Sequence, residues 1–150
     1  LSASISTRRN TQIRQEVGLT DILIMSGGQG DVYSPTHGGQ TGAQAHARSV
    51  VYANSARAAG FDKIIATSWP QLGPGGSVVI DQEDQDTFNS LLMTNYGSFF
   101  DGVVNWHSGI LSDASNTTYF ESDRVHVTNA SIPYMVSQAK VVVDNVLATL

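Results

Sequence analysis

Three short apolar runs punctuate this sequence, at residues 21–25 (DILIM), 63–67 (KIIAT) and 100–105 (FDGVVN). The first is continuous, lies between Gly18 and Ser26-Gly27-Gly28, and suits a strand buried on both faces of a parallel sheet. The other two read as the next strands of the same sheet. Between them the pattern turns helical. Residues 43–59 are rich in strong helix formers and stop at Gly60, with small inward residues that let the helix lie close to a sheet. A second helix carries Phe88, Leu91, Leu92, Tyr96 and Phe99 at helical spacing, with Asp84 or Asp86 as its cap. The last has Ile132, Met135, Val136, Ala139, Val142, Val143, Val146 and Leu147 repeating at three and four. Its cap would be Thr128 or Asn129, and Pro133 falls in the first turn. Residues 8–17 read as a short surface helix, and residues 27–42, with six glycines and Pro35, as a loop. Strands alternating with helices predict an α/β domain built on a parallel sheet.

The 150 residues show no internal repeat and no boundary, so residues 1–150 read as part of one domain. At 41% apolar and 14% charged the chain is too hydrophobic for a disordered tail. Its net charge of −5, with three of eight basic residues inside the first fourteen positions, offers no phosphate-binding surface; nucleic acid is not expected as a partner. No apolar run approaches a membrane span of about 18 residues. The absence of cysteine excludes disulfides and thiol catalysis. Four scattered histidines show no metal-ligand spacing, and the acidic residues 81–86 lack a calcium-loop pattern, so neither metal nor cofactor is expected.

In parallel sheets ligands gather beyond the carboxyl ends of the strands. Those ends here are residues 26–31, 68–76 and 106–126. The last contains Asp123-Arg124-Val125-His126, directly ahead of the final helix. A carboxylate three residues before an imidazole can turn back onto its Nδ1 proton, fix the tautomer and support imidazolium during proton transfer. The same spacing also serves as an ordinary cap or surface turn. Ser26-Gly27-Gly28-Gln29-Gly30-Asp31 can aim backbone N–H groups at an oxyanion, or can simply be a turn; it has neither the lysine nor the spacing of a phosphate loop. His37, Trp69 and Trp106 are candidate cleft residues; His37 reads also as a solvated loop residue, and either tryptophan as a lid over the core. His46 reads as a surface residue.

Taken in order, these parts resemble the SGNH (GDSL-type) hydrolase family. Gly28-Gln29-Gly30-Asp31 matches that family's Gly-x-Asn-Asp block at Gly28 and Asp31, and Asp123-Arg124-Val125-His126 matches its Asp-x-x-His block in full. The resemblance spans about residues 19–149. It implies a flavodoxin-like three-layer α/β/α fold and hydrolysis of small or carbohydrate-linked acyl esters through a serine acyl-enzyme. His126 would be the base and Asp123 its orienting partner. Gly28 with Gln29 or Gly30 would form the oxyanion region, and Asp31 would lie at the cleft.

Two departures shape the expectation. Gly30 stands where the family has a side-chain donor, and no Gly-Asp-Ser occurs anywhere in the chain. Ser26, Ser34, Ser68 and Ser108 lie in suitable loops, yet nothing marks any of them as a nucleophile. The expectation is therefore the carboxyl-terminal part of a longer domain, inactive alone. Its first, central strand and serine would come from an upstream segment or a companion chain. The alternative is a non-catalytic carbohydrate-binding or structural module of the same descent. The Ser-, Thr-, Asn-, Gln- and Gly-rich composition fits an extracellular or virion-associated setting such as a phage tail.

Overall fold

The computed structural model describes residues 19–27, 39–73 and 82–150, so the helix expected over residues 8–17 lies outside the described residues. The chain runs β1 (Ile22–Met25), α1 (Gly42–Ala58), β2 (Lys63–Thr67), α2 (Gln82–Phe99), β3 (Gly102–Val104) and α3 (Ile132–Leu147). Single 3-10 turns stand at Gly109–Leu111 and Asn129–Ser131. The strands form one parallel sheet in the order β1-β2-β3, with Ile22 opposite Lys63 and Ile65 opposite Gly102. The α/β class read from the sequence is the class of the fold.

The period of two along β2 divides the core. Ile64 and Ala66 join Ala45, Ala53 and Ala56 of α1 and Phe88 and Leu92 of α2 on one face; Ile65 joins Val104 and Val146 of α3 on the other. Helices therefore cover both faces, and β2 is buried from Ile64 through Thr67. The apolar stripe of α3 is only half used. Val146 is buried and Ala139, Val142 and Val143 are partly covered, whereas Ile132, Val136 and Leu147 stay exposed. A helix of sixteen residues is about 24 Å long, and among the described residues it lies over a sheet whose nearest strand has three.

Helix ends follow local chemistry where the partners are local. Thr41 and Gln44 form a capping box at the start of α1. Gly60, at φ +94°, closes it by donating to Arg57 O while Phe61 N–H donates to Ala56 O. The acidic caps expected for α2 are a different matter. Asp84 and Asp86 lie inside that helix, and Asp84 Oδ1 accepts from Gly42 N at 2.7 Å, capping α1 instead. Ahead of α3, residues 129–131 form a 3-10 turn, so Ser131 rather than Thr128 or Asn129 holds the N-cap. Its hydroxyl donates to Tyr119 O rather than to the helix.

At the amino ends of the strands Asp101 ties three elements together. Its Oδ2 accepts from Arg57 Nη2 at 2.7 Å and from Ile64 N at 2.8 Å. Burial alone would raise this carboxyl, but the Ile64 N–H and the Arg57 guanidinium outweigh it and hold it below the usual carboxylate range.

His46 is a correction. Rather than facing solvent it is 7% exposed, edge-on to Phe88 and Phe99 at 6.5 and 6.3 Å, with a buried Nε2 that has no hydrogen-bond partner among the described residues. The small residues around it on α1 let α2 approach closely enough to cover the ring. Burial lowers its pKa. The unfolded chain then binds a proton at a pH where the folded chain does not, so stability falls as pH drops below about 6.5. Denaturant midpoints near neutrality and near pH ~5 should differ less in His46→Leu than in the parent. An unchanged acid sensitivity would show that His46 is not its source.

Candidate functional site

The segment between β3 and α3, expected to be a polar loop, has a core of its own. Leu111, Ala114 and Phe120 are buried, with Trp106, Tyr134 and Met135 packed against them. Phe120 and Val127 form an antiparallel bridge, closed by Glu121 N–H to His126 O at 2.8 Å and Thr128 N–H to Tyr119 O at 2.9 Å. Asp123 and His126 sit on the turn that this bridge presents.

There the two side chains meet. Asp123 Oδ2 lies 2.6 Å from His126 Nδ1, and Asp123 Oδ1 accepts from the backbone N–H of Val125 and His126 at 2.9 and 3.0 Å. The carboxylate organises its own turn and the imidazole at once. Arg124 takes up the reversal at φ +57°, the single positive value of a non-glycine among the described residues. The His126 side-chain hydrogen bond, then the N–H groups of His126 and Val125, bring the Asp123 carboxyl down to about 2. Asp123 thus stays anionic at any working pH. With Nδ1 committed to it, Nε2 is the nitrogen left to exchange a proton, and the imidazole side chain is 77% exposed.

Buried carboxamides bring the neighbouring loops to the same edge of the sheet. Asn89 Oδ1 accepts from Trp69 N at 2.9 Å and its Nδ2 donates to Trp69 O at 3.2 Å. Gln85 Nε2 donates to Pro70 O, and its Oε1 accepts from Leu72 N at 3.3 Å. The loop then reaches across, with Gln71 N–H to Leu111 O at 2.9 Å and Gly73 N–H to Arg124 O at 3.1 Å. The end of β1 is held there too, because Trp69 Nε1 donates to Gly27 O at 2.9 Å.

Of the residues singled out in the sequence, Asp123 and His126 are brought into contact. Trp69, a candidate for the cleft, is in the core at 3% exposure, stacked on Phe88 at 3.8 Å. Trp106 bridges two apolar clusters with its indole N–H toward Met135 O at 3.4 Å, the position of a lid over the core. Gly28, Gln29, Gly30, Asp31, Ser34 and His37 lie outside the described residues. Ser68 is buried, its Oγ bonded to Asn105 Oδ1 and to the backbone N–H of His107, and Ser108 Oγ donates to Asn105 O. Among the described residues no serine hydroxyl meets an imidazole.

Two further features lie near these loops. His107 Nε2 lies 3.6 Å from Asp86 Oδ1, a looser imidazole–carboxylate pair between β3 and α2. Gln85 and Asn89 complete, with Phe88 and Leu92, the spacing of a buried stripe on α2. On its other side β1 pairs with no described strand. Along it runs a groove of about 640 Å³ lined by Leu23, Met25, Phe88 and Leu92, where Ile24 is 46% exposed and the buried Thr67 Oγ1 has no partner among the described residues. No described helix is long and apolar enough to cross a membrane. Comparison of the chain with protein-family models, curated proteins and solved structures found no match.

Proposed function

We propose that this chain carries the base and the orienting acid of an SGNH-type serine ester hydrolase. The observation that carries the reading is the 2.6 Å contact between Asp123 Oδ2 and His126 Nδ1 on a loop beyond the carboxyl ends of parallel strands. In this reading His126 Nε2 takes the proton of a serine as its oxygen attacks the acyl carbon, then returns it to the departing alcohol oxygen. Asp123 holds the tautomer and offsets the imidazolium charge without accepting the proton itself. Gly28, Gln29 and Gly30 supply oxyanion donors through backbone N–H groups or the Gln29 carboxamide. The substrate is a small or carbohydrate-linked acyl ester.

The serine comes from a segment that adds a strand along the open edge of β1, completing a flavodoxin-like sheet. That edge, which pairs with no described strand, and the apolar groove beside it support such an addition. An extracellular or virion-associated enzyme remains our reading of the composition. A second reading, a carbohydrate-binding or structural module, is favoured by the exposure of His126 together with Gly30 at the family's donor position.

Fluorophosphonate labelling of the native protein, with the modified peptide mapped by mass spectrometry, separates the two. The expected result is one labelled serine outside residues 1–150, with the label lost on His126→Ala. A labelled serine within the chain keeps the hydrolase but overturns the outside nucleophile. Folded protein that takes no label supports the binding module.

A further inference from the structure

We infer that Gln85 and Asn89 are positioning residues for the Asp123–His126 pair, acting on it through residues 69–73. The inference rests on that pair being the proton-transfer site proposed above.

A carboxamide buried in a core costs free energy unless both its ends are satisfied, and an apolar residue would fill the same stripe at no such cost. Gln85 is 0% exposed and Asn89 4%. Both use donor and acceptor on backbone of one loop: Trp69 N and O for Asn89, Pro70 O and Leu72 N for Gln85. Four apart on α2, they lie on one helix face and hold successive loop residues as a neighbouring strand would. Gln82 extends the row. Its Nε2 donates to Gln85 Oε1 at 2.9 Å and its Oε1 accepts from Gln71 Nε2 at 2.8 Å.

Held from α2 in this way, the loop turns its remaining donors outward. Gly73 N–H then meets Arg124 O, the carbonyl inside the turn that carries Asp123 and His126. The approach is close: a Cβ on Gly73 would stand 3.0 Å from the Cβ atoms of Ala114 and Arg124. The path from α2 to the turn that carries the imidazole is therefore a series of hydrogen bonds between buried or backbone groups. Its far end is an exposed turn, whose orientation needs an outside reference. Misplacing a reacting group by about 1 Å can cost a hundredfold in rate.

The test is Gln85→Met in the complete protein, read by ester kinetics and by the NMR resonance of the His126 Nδ1 proton. The expected result is a kcat lower by about ten- to a hundredfold with KM within about twofold, and a broadened or lost Nδ1 proton signal in protein that remains folded. A role confined to stability would lower the melting temperature and leave that resonance in place. Gln85→Glu, which keeps the shape and the acceptor for Leu72 N–H, is the second variant should Gln85→Met fail to fold. Retention of the resonance and of kcat within about twofold overturns the inference, as does loss of the fold in both variants. If the parent protein turns over no ester and takes no label, yet Gln85→Met loses the resonance, the hydrolase reading fails and the positioning stands.

Discussion

His126→Ala in the complete protein should lower ester turnover by about a thousandfold or more while leaving the melting temperature nearly unchanged. The rate loss is of the size seen when the base is removed from an acyl-transfer triad, where the nucleophile loses the group that takes its proton. The stability should hold because the imidazole is exposed and its hydrogen bonds are local to residues 123–126. Asp123→Asn should slow turnover by a factor of order 10³–10⁴, since its oxygen stays on the Val125 and His126 N–H groups and its NH2 then donates to Nδ1, which favours the wrong tautomer. With the Asp123 carboxyl at about 2, a rate profile should show no limb from that carboxylate near neutral pH. Turnover within about tenfold of the parent in folded His126→Ala would remove the pair from the mechanism.

Gly42→Ala should be the most damaging small change in the scaffold. A Cβ at Gly42 would stand 1.9 Å from Asp84 O and 2.8 Å from Phe88 N, both backbone atoms of α2. No side chain can rotate away, so the two helices must part. That also strains the Gly42 N–H bond to Asp84 and the ring contacts of His46 with Phe88 and Phe99. Overpacking in a core costs about 1–3 kcal/mol and more where backbone must move. Gly to Ala in a helix returns at most about 1 kcal/mol. The steric loss wins, and a fall of roughly 6–12 °C in melting temperature is expected for about 3 kcal/mol. Gly97, also helical but with nothing within 4 Å of its missing Cβ, is the control. There alanine should stabilise, and equal effects at the two sites would refute the close approach as the cause.

What could be read from the sequence follows the range of each interaction. β2 was legible to the residue, because burial on both faces turns a strand into a continuous apolar run. The Asp123–His126 contact was legible because it is made within one turn. Asp84 was misread because its partner, Gly42, is 42 positions away. His46 was misread because its burial depends on how closely α2 approaches. Gln85 and Asn89 hide in the same way, since a carboxamide with its partners on a distant loop looks like a solvated one. The stripe of α3 was visible as a pattern, but the pattern does not say how much sheet lies beneath it.

The edge of β1 that pairs with no described strand bears on how this protein behaves in bulk. Its four residues, Ile-Leu-Ile-Met, include no lysine, no proline and no charge to repel a neighbouring chain. A sheet margin of that kind is indifferent to what pairs with it. Wherever its proper neighbour is not seated, two molecules can satisfy each other, and the rate at which they do so rises with the square of their concentration. Dilution would then preserve material that crowding in a tube removes.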